Sequence, residues 1–340
     1  MARALGLDAE ALAPPTDPPA PAGDLRAEID GFTTLDACVT EHARTDPLVG
    51  DALRAIGYDT FLRDACRVLA AMKDKKVDVC KSIDAQGLRL RCEASVAMSV
   101  GAPDSCPWEV FDTPSRGRDA RCVAVASRDA RLCAGSARAD RVACEAMVAR
   151  DEKRCAGDAA CAREVSRWRN VLPPPESAGA PFTTRAKLTL HGADGTADPA
   201  QTETDLASDF SRGIVVMMDF EGSHVEIGMR QQIGTTMFAP PPTTRARLAL
   251  ALLVPEDKLA SIEHAEVAVP GGATLVLPGV RFDGSVRVTK LEPVRGGDLE
   301  ARLDGTLGAP PRAYKVKVEI ATFVRDVVRA PTAAVAPKKR

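Results

Sequence analysis

Two different spacings of apolar residues divide the chain. Up to about residue 171, stretches rich in Ala, Val and Met alternate with polar turns, a pattern typical of short helices. From Phe182 onward the period is two, as where Val316, Val318 and Ile320 alternate with charged residues. Such alternation is typical of antiparallel strands with one buried face. The chain is therefore predicted to be helical first and β-stranded afterwards.

The predicted fold has two domains: all-α disulfide-linked helical-hairpin repeats, then an all-β antiparallel sandwich or small barrel. Glycine-rich turns separate the candidate strands at hairpin-like spacing, and proline-rich stretches interrupt both helices and strands. We predict a disordered Pro/Ala-rich N-terminal linker (1–24), a Cys-rich helical repeat domain (25–171), a Pro-rich linker (172–181), an antiparallel β domain (182–329) and a disordered basic tail (330–340).

All 10 cysteines lie in the helical half, between Cys38 and Cys161. Stable disulfides form in oxidising compartments, whereas cytosolic thiols are usually reduced, and an even number permits complete pairing. The flanking sequence also repeats: a polar turn, a Cys, a helix-compatible stretch, an Asp and a second Cys. The period of about 22–30 residues is in the range of helical repeat arrays. Asp78, Asp104, Asp129 and Asp151 are predicted to cap the short helices that follow them.

The helical rise limits which cysteines can pair. A helix rises about 1.5 Å per residue, so Cys92 and Cys106 lie at distant ends of one predicted helix. A bridge needs Cα atoms within about 7 Å, which cysteines on either side of a turn satisfy. Neighbour pairing leaves no cysteine over, and the predicted bridges are Cys38–Cys66, Cys80–Cys92, Cys106–Cys122, Cys133–Cys144 and Cys155–Cys161.

Free buried thiols and a metal or redox site are the alternatives to disulfides. Structural zinc sites use ligands two to four residues apart, but the tightest pair, Cys155 and Cys161, is more widely spaced. There is no C-x-x-C motif, and His42 is the one histidine of this half. The spacing therefore favours disulfides.

The cysteine segments, such as RDACRVLAAMKDKKVDVC (63–80) and DRVACEAMVARDEKRC (140–155), resemble Cys-containing helical-hairpin repeats of uncharacterised exported bacterial and archaeal proteins. The resemblance covers roughly residues 61–169 and implies a location and an architecture rather than an activity. The interval 106–122 departs from it, because it is longer and contains two prolines. The segment GSVRVTKLEPVRGGDLEARLDGTLG (284–308) is similar to the two-strand core of β domains in bacterial envelope proteins.

Export requires a signal that the first residues do not provide. Met1 to Leu12 lacks the basic start and continuous apolar core of a signal peptide. We therefore expect a signal, or a signal with a lipid anchor, upstream of Met1, and a location in the periplasm, on the outer membrane surface or outside the cell. No run approaches the roughly 20 apolar residues that span a bilayer. The net charge of −2 gives no reason to expect nucleic acid as a partner.

No catalytic or cofactor-binding motif is recognisable, so no catalytic, cofactor or metal residue is predicted. The nearest metal candidate is DFEGSHVE, with Asp219, Glu221, His224 and Glu226. On one strand the first two side chains lie on one face and the last two on the other, which favours a polar turn with solvated charges. The acidic stretch 198–212 is predicted to be an exposed loop rather than a cation site.

Trp108 and Phe111 lie beside irregularly placed prolines. They form either an exposed contact patch or a structural plug in a core that has few aromatic residues. We expect a non-catalytic exported cell-envelope protein with a binding or structural role, whose partner is an envelope protein or ligand of unknown identity. The alternatives are an envelope hydrolase with a dispersed active site and a cytosolic thiol or metal protein.

Overall fold

A computed structural model of the protein describes most of the helical and stranded segments. The described residues are 24–45, 58–109, 116–136, 140–176, 179–192, 202–218, 222–227, 247–255, 260–268, 275–276, 282–307 and 314–329. The predicted N-terminal linker, except Asp24, and the predicted tail over 330–340 lie outside these ranges.

The first part of the chain, which we call the helical region, is a stack of short helices. From the second α-helix onward each contacts the next, and the first contacts the third and the last. The α-helices are α1 (Leu25–Gly31), α2 (Leu35–Thr45), α3 (Tyr58–Asp74), α4 (Gln86–Val100), α5 (Ala120–Ser127), α6 (Arg141–Ala149) and α7 (Ala159–Trp168). Short 3₁₀-helices follow α3, α4, α5 and α6, at Val77–Ser82, Pro103–Ser105, Ala130–Gly135 and Glu152–Cys155.

The same backbone turn ends α3, α4, α5 and α6. A residue in the left-handed conformation follows each helix, and the next N–H donates to the carbonyl of a fully buried alanine, as in a Schellman motif. The left-handed residues are Lys75, Gly101, Arg128 and Arg150, with φ between 55° and 71°. The donor–acceptor pairs are Lys76–Ala71, Ala102–Ala97, Asp129–Ala124 and Asp151–Ala146, at 2.9–3.1 Å. The sequence repeat is thus a repeat of helix, left-handed cap and 3₁₀-helix.

Two of the four predicted aspartate caps are present. Asp129 and Asp151 accept the N–H groups of the residues two positions later, at 2.9 and 3.0 Å. The prediction is wrong for Asp78 and Asp104. Asp78 lies inside its 3₁₀-helix and pairs with Lys81, while Asp104 binds a distant arginine instead. Asp78 and Asp104 lie inside their 3₁₀-helices, whereas Asp129 and Asp151 immediately precede theirs, so only the latter two are positioned to cap.

Five disulfides brace the helical region, and no cysteine is free. The bridges are Cys38–Cys66, Cys80–Cys92, Cys106–Cys122, Cys133–Cys144 and Cys155–Cys161, with Cα–Cα distances of 5.6–6.0 Å. They are the neighbour pairs that the helical rise predicts. The last four each join a 3₁₀-helix or its end to the α-helix that follows, so each bridge fixes one turn of the stack.

The stack of helices has its two ends in contact. Leu25 and Ile29 of α1 are buried in the same core as the residues of α7. The Arg167 guanidinium binds both carboxylate oxygens of Glu28 at 2.5 and 2.7 Å. The Asn170 side chain donates to Asp24 at 3.0 Å. The helical region is therefore closed, unlike an open solenoid whose terminal repeats are far apart.

The second part of the chain is a sheet that is nearly closed into a barrel, with β6 in contact with β8. The strands are β1 (Arg185–Gly192), β2 (Thr202–Asp205), β3 (Ile214–Met218), β4 (Ser223–Ile227), β5 (Arg247–Val254), β6 (Ser261–Ala268), β7 (Leu275–Val276), β8 (Phe282–Leu291), β9 (Asp298–Leu307) and β10 (Tyr314–Arg329). A short helix, α8 (Ala207–Phe210), follows β2.

The sheet is mixed, so the prediction of a purely antiparallel domain is wrong. The first half of β10 pairs with β1 and with β9, both antiparallel. Its second half continues beyond them and pairs parallel with β3. This pairing is possible because β10 is 16 residues long and because strands β4 to β9 form the long connection that a parallel pair requires. The other described pairings are antiparallel.

One local prediction in this part is also wrong. The predicted loop over 198–212 contains β2 and α8, because Leu206 and Phe210 are buried in the barrel core and fix the segment to it.

Candidate functional site

A β-bulge in β10 turns two successive charged residues toward the helical region. Successive side chains of a regular strand point to opposite faces, but the register of β10 against β3 shifts between Val324 and Asp326. Arg325 and Asp326 consequently both contact the helical region, and they are only 8% and 0% exposed. A bulge can re-aim a side chain in this way. We call the contact between β10 and the helical region the junction.

Asp326 lies between two arginines. Its carboxylate accepts the Arg118 backbone N–H at 2.9 Å and the Arg118 guanidinium at 3.2 Å. The Arg295 Nε donates to it at 2.9 Å, and the Arg295 Nη2 binds Asp104 at 2.6 Å. The hydrogen bond from Arg295 lowers the pKa of Asp104 below its usual value. Because a buried unpaired charge is costly, this chain of four groups connects the two regions tightly.

Glu109 forms the second ionic centre of the junction. It accepts hydrogen bonds from Arg325 and from Arg212, both at 2.7 Å. The same two arginines also donate to the backbone carbonyls of Arg116, at 2.8 Å, and of Gly135, at 2.7 Å. Burial alone would raise the pKa of Glu109, but the charges and hydrogen bonds of Arg325 and Arg212 outweigh burial and lower it. Glu109 is therefore held as a carboxylate.

An aromatic contact lies beside these charges. The rings of Phe182 and Phe323 are stacked with centroids 4.1 Å apart, and Phe323 of β10 belongs to the core of the helical region. The Arg131 guanidinium lies 4.8 Å from the Phe182 ring centroid and is held by Asp129 at 2.7 Å. Such cation–π contacts add to the apolar contact. The junction thus combines apolar burial with ion pairs.

Two glycines allow close packing around β10. A Cβ at Gly135 would lie 2.3 Å from the Arg325 Cδ, and one at Gly213 would lie 2.6 Å from the Phe323 ring. Gly213 also has a φ of +71°, which other residues rarely adopt. A larger residue at Gly135 would push β10 away from the helices, and one at Gly213 would displace the Phe323 ring.

The predicted contact residue Trp108 lies at the edge of the junction and is half-buried. Its ring centroid is 4.5 Å from the Arg118 guanidinium, and its backbone forms an isolated bridge with that of Arg118. The bridge Cys106–Cys122 closes this loop. Trp108 thus supports the arginine that binds Asp326. Phe111 lies outside the described residues, so the predicted contact patch stays a prediction.

The predicted metal candidates are only partly described. Asp219 and Glu221 lie outside the described residues, while His224 and Glu226 belong to β4, which pairs with β3 as a hairpin. In the described part of the chain, no group of three or more His, Cys, Asp or Glu side chains is placed to hold a metal ion. Within the same part, no helix has both the length and the apolar character needed to cross a bilayer.

A groove of about 980 Å³ crosses the outer face of the sheet next to the junction. Side chains of β1, β2, β8, β9 and β10 line it, and most of them are charged. Thr184 and Arg185 at one wall follow Phe182 closely in sequence, and Ala321 on the floor precedes Phe323 by two residues. The groove therefore begins where the helical region stops covering β10.

The charges of the groove are arranged in cross-strand rows. One row reads Asp205, Lys187, Glu319 and Arg302, on β2, β1, β10 and β9, so the signs alternate. The adjacent row reads Arg185, Ala321 and Glu300, on β1, β10 and β9. The second row thus places a small side chain between two opposite charges. Neighbouring opposite charges stabilise a sheet modestly.

Sequence reasoning missed the junction and the groove. One signal for the junction was present: the run FVRDVV (323–328) places two successive charges inside a strand of apolar residues. Charged residues in such a strand are expected to be paired. The groove has no comparable signal, because its residues come from five strands that are distant in sequence.

Comparison with models of protein families, with curated proteins and with solved structures found no match. The function of this chain must therefore be argued from its own geometry.

Proposed function

We propose that this protein is a non-catalytic exported protein of the cell envelope, in which the helical region and the barrel together form a rigid frame for ligand binding. The observation that carries the proposal is the position of the groove beside the junction. Ligand sites occur preferentially at domain interfaces. The junction is held by buried ion pairs and stacked rings, so the wall and floor of the groove are fixed before any ligand arrives.

The disulfides support the exported location. All ten cysteines are paired, and the bridges hold helices whose core contains many alanines. Such bridges persist in the periplasm, at the cell surface or outside the cell, and are rare in the cytosol.

Alkylation and peptide mapping of protein purified from its native host test the location. We expect the protein in the envelope or secreted fraction, with no thiol available to a maleimide before reduction and ten available afterwards. Non-reducing mass spectrometry should then identify the five neighbour bridges and the mature N-terminus. A cytosolic protein with ten free thiols would refute the proposal and favour the thiol or metal alternative.

A further inference from the structure

We propose that the groove binds a compact zwitterion of the amino-acid class, with the ligand carboxylate on Arg185 and the ligand ammonium group on Glu300. The proposal deepens the proposed binding function, on which it rests, by naming a ligand class for the groove. Ala321 forms the floor between the two charged side chains.

The sheet register sets the distance between the two charges. Arg185 lies opposite Ala321 on β10, and Ala321 lies opposite Glu300 on β9. Neighbouring strands are about 4.8 Å apart, so the backbones of Arg185 and Glu300 are about 10 Å apart across β10. The side chain between them is a single methyl group. The gap is open from above and has a positive wall, a negative wall and a small floor.

These two charges have no opposite charge beside them on β10, because Ala321 lies between them. In the described part of the chain, the Arg185 side chain has no ion pair or hydrogen bond, and the Glu300 side chain has no ion pair. The Glu300 carboxylate accepts one long hydrogen bond, from the Thr289 hydroxyl at 3.5 Å. Lys290 lies opposite Glu300 on β8, but its ammonium group binds Asp298 at 2.5 Å and Glu292 at 3.3 Å.

In the adjacent row, the charge of Lys187 is compensated by opposite charges on the same surface. Lys187 binds Glu203 at 2.7 Å and has Asp205 and Glu319 opposite it on either side. The row of Arg185 and Glu300 instead keeps two opposite charges apart.

Charge complementarity then selects the ligand. A guanidinium binds a carboxylate through two parallel hydrogen bonds of about 2.8 Å, and a carboxylate accepts an ammonium group equally well. A small zwitterion can satisfy both walls at once over the methyl floor. A ligand with one charge would leave either Arg185 or Glu300 unpaired. The groove should therefore bind a zwitterion more tightly than a ligand that lacks either charge.

The test is an NMR titration of the full-length oxidised protein, in which the amide signals of Arg185, Glu300 and Ala321 are followed. The probes are L-alanine, N-acetyl-L-alanine and L-alaninamide, which carry both charges, only the negative charge and only the positive charge. We expect saturable shifts with L-alanine alone. Arg185→Ala and Glu300→Gln should each weaken binding by about tenfold or more, the loss expected for a hydrogen-bonded charge pair.

Arg302→Ala is the matched control, because Arg302 lines the same groove but lies directly opposite the acidic Glu319 on β10. It should change the affinity by less than about twofold. Reversing both charges, Arg185→Glu with Glu300→Arg, should retain binding that each single reversal abolishes. Unchanged barrel signals in every variant show that the fold is intact.

The proposal is overturned if L-alanine causes no shift at its solubility limit, if the three probes shift the signals alike, or if Arg302→Ala loses as much as Arg185→Ala. These outcomes are separable from the failure of the proposed function. If the protein is exported and disulfide-bonded but does not bind L-alanine, the proposed envelope role stands and the proposed ligand class is refuted. If the protein is cytosolic with free thiols, the proposed envelope role is refuted. The titration then still tests whether the groove binds a zwitterion.

Discussion

The helical region and the barrel are stabilised in different ways. The helical core is built from cystines and small side chains, including the fully buried Ala71, Ala97, Ala124 and Ala146. The barrel core contains no cysteine and is filled by Leu, Val, Ile and Phe side chains. Hydrophobic stabilisation scales with the apolar area buried, so an alanine-rich core stabilises its helices less. Covalent bridges compensate in the first region and are unnecessary in the second.

Reduction of the disulfides should produce the largest difference in stability between the two regions. Each bridge typically contributes about 2–4 kcal/mol by restricting the unfolded chain, and five are present. We therefore expect a strong reductant to remove protection from the amides of α3 to α7. Hydrogen exchange followed by mass spectrometry of the reduced, full-length protein measures this region by region.

The barrel amides serve as the internal control for reduction. Strands β8 and β9, which contain no cysteine, should keep slow exchange after reduction. Equal loss of protection in α5 and in β9 would show that the two regions unfold as one unit. The hypothesis that disulfides stabilise the helical region separately from the hydrophobic barrel would then be wrong.

Asp326→Ala should have the next largest effect, because it leaves Arg118 and Arg295 without their shared partner. Arg118 and Arg295 have side chains that are only 11% and 17% exposed. Breaking a buried ion pair by removing one member costs about 3–5 kcal/mol. We expect a loss of this size in the free energy of unfolding, measured by chemical denaturation of the oxidised protein.

Asp304→Ala is the control for this variant, since Asp304 is an exposed aspartate of β9. Surface changes are usually within about 0.5 kcal/mol. If both variants lost the same small amount, the junction charges would contribute no more than surface charges. The two regions would then be joined mainly by Phe182 and Phe323.

The contacts at the junction also change the stability expected for the isolated barrel. The sequence predicts that residues 182–330 fold independently, because no cysteine crosses the linker. In the structure, Phe323, Arg325 and Asp326 of β10 are buried against helical residues. An isolated barrel would expose the ring and leave both charges unpaired. We therefore expect the separated fragment to be less stable than the same strands in the full chain.

The sequence predicted the features that depend on local spacing. The rise of a helix limited the cysteine pairing, and the alternation of Val316, Val318 and Ile320 predicted the buried face at the start of β10. Asp129 and Asp151 cap as predicted because their partners are two residues away. In each case the interacting groups are neighbours along the chain.

The features that the sequence did not predict depend on distant partners. Asp104 binds Arg295, which is 191 residues away, and not the helix that follows it. The parallel pairing of β3 with β10 joins strands about 100 residues apart, which no local pattern specifies. The groove requires the register of five strands, and a shift of one residue would turn Arg185 and Glu300 to the other face.

Acid should weaken the junction before it affects either core. Although burial opposes them, the two arginines hold the pKa of Glu109 below its usual value, so its pairing stabilises the protein above the ordinary glutamate pKa of about 4.3. This contribution is lost as the pH falls through the lowered folded pKa. We expect the free energy of unfolding to fall between pH 5 and pH 3, by about 1 kcal/mol from this partly solvated group.

Glu109→Gln tests the assignment of this pH dependence. The variant should be less stable than the wild type at pH 7 but should lose less on acidification, so the two curves converge near pH 3 in denaturant titrations. Glu203→Gln is the control, because it removes the partner of exposed Lys187, and such surface pairs contribute about 0–1 kcal/mol. Parallel curves for Glu109→Gln and the wild type would place the acid-sensitive group elsewhere.

The smallest expected effect concerns the repeated left-handed caps, which test whether the turns of the helical region are equivalent. Gly101 and Arg150 occupy the same position after α4 and α6, with φ of 71° and 56°. Only glycine adopts this conformation without steric cost. Arg150→Gly should therefore raise the free energy of unfolding by about 0.5–1 kcal/mol, and Gly101→Ala should lower it by about 1 kcal/mol. Denaturant titrations measure both changes.

The pair is well matched, because side-chain contacts contribute little at either position. A Cβ at Gly101 would meet only the Ala126 carbonyl, at an ordinary contact distance of 3.5 Å. Arg150 has no ion pair in the described part of the chain. Opposite signs in the two variants would show that backbone conformation sets the stability of each turn, in addition to its bridge. If Arg150→Gly destabilised the protein, the bridge Cys155–Cys161 and local packing would override the backbone preference, and the repeats would not be energetically equivalent.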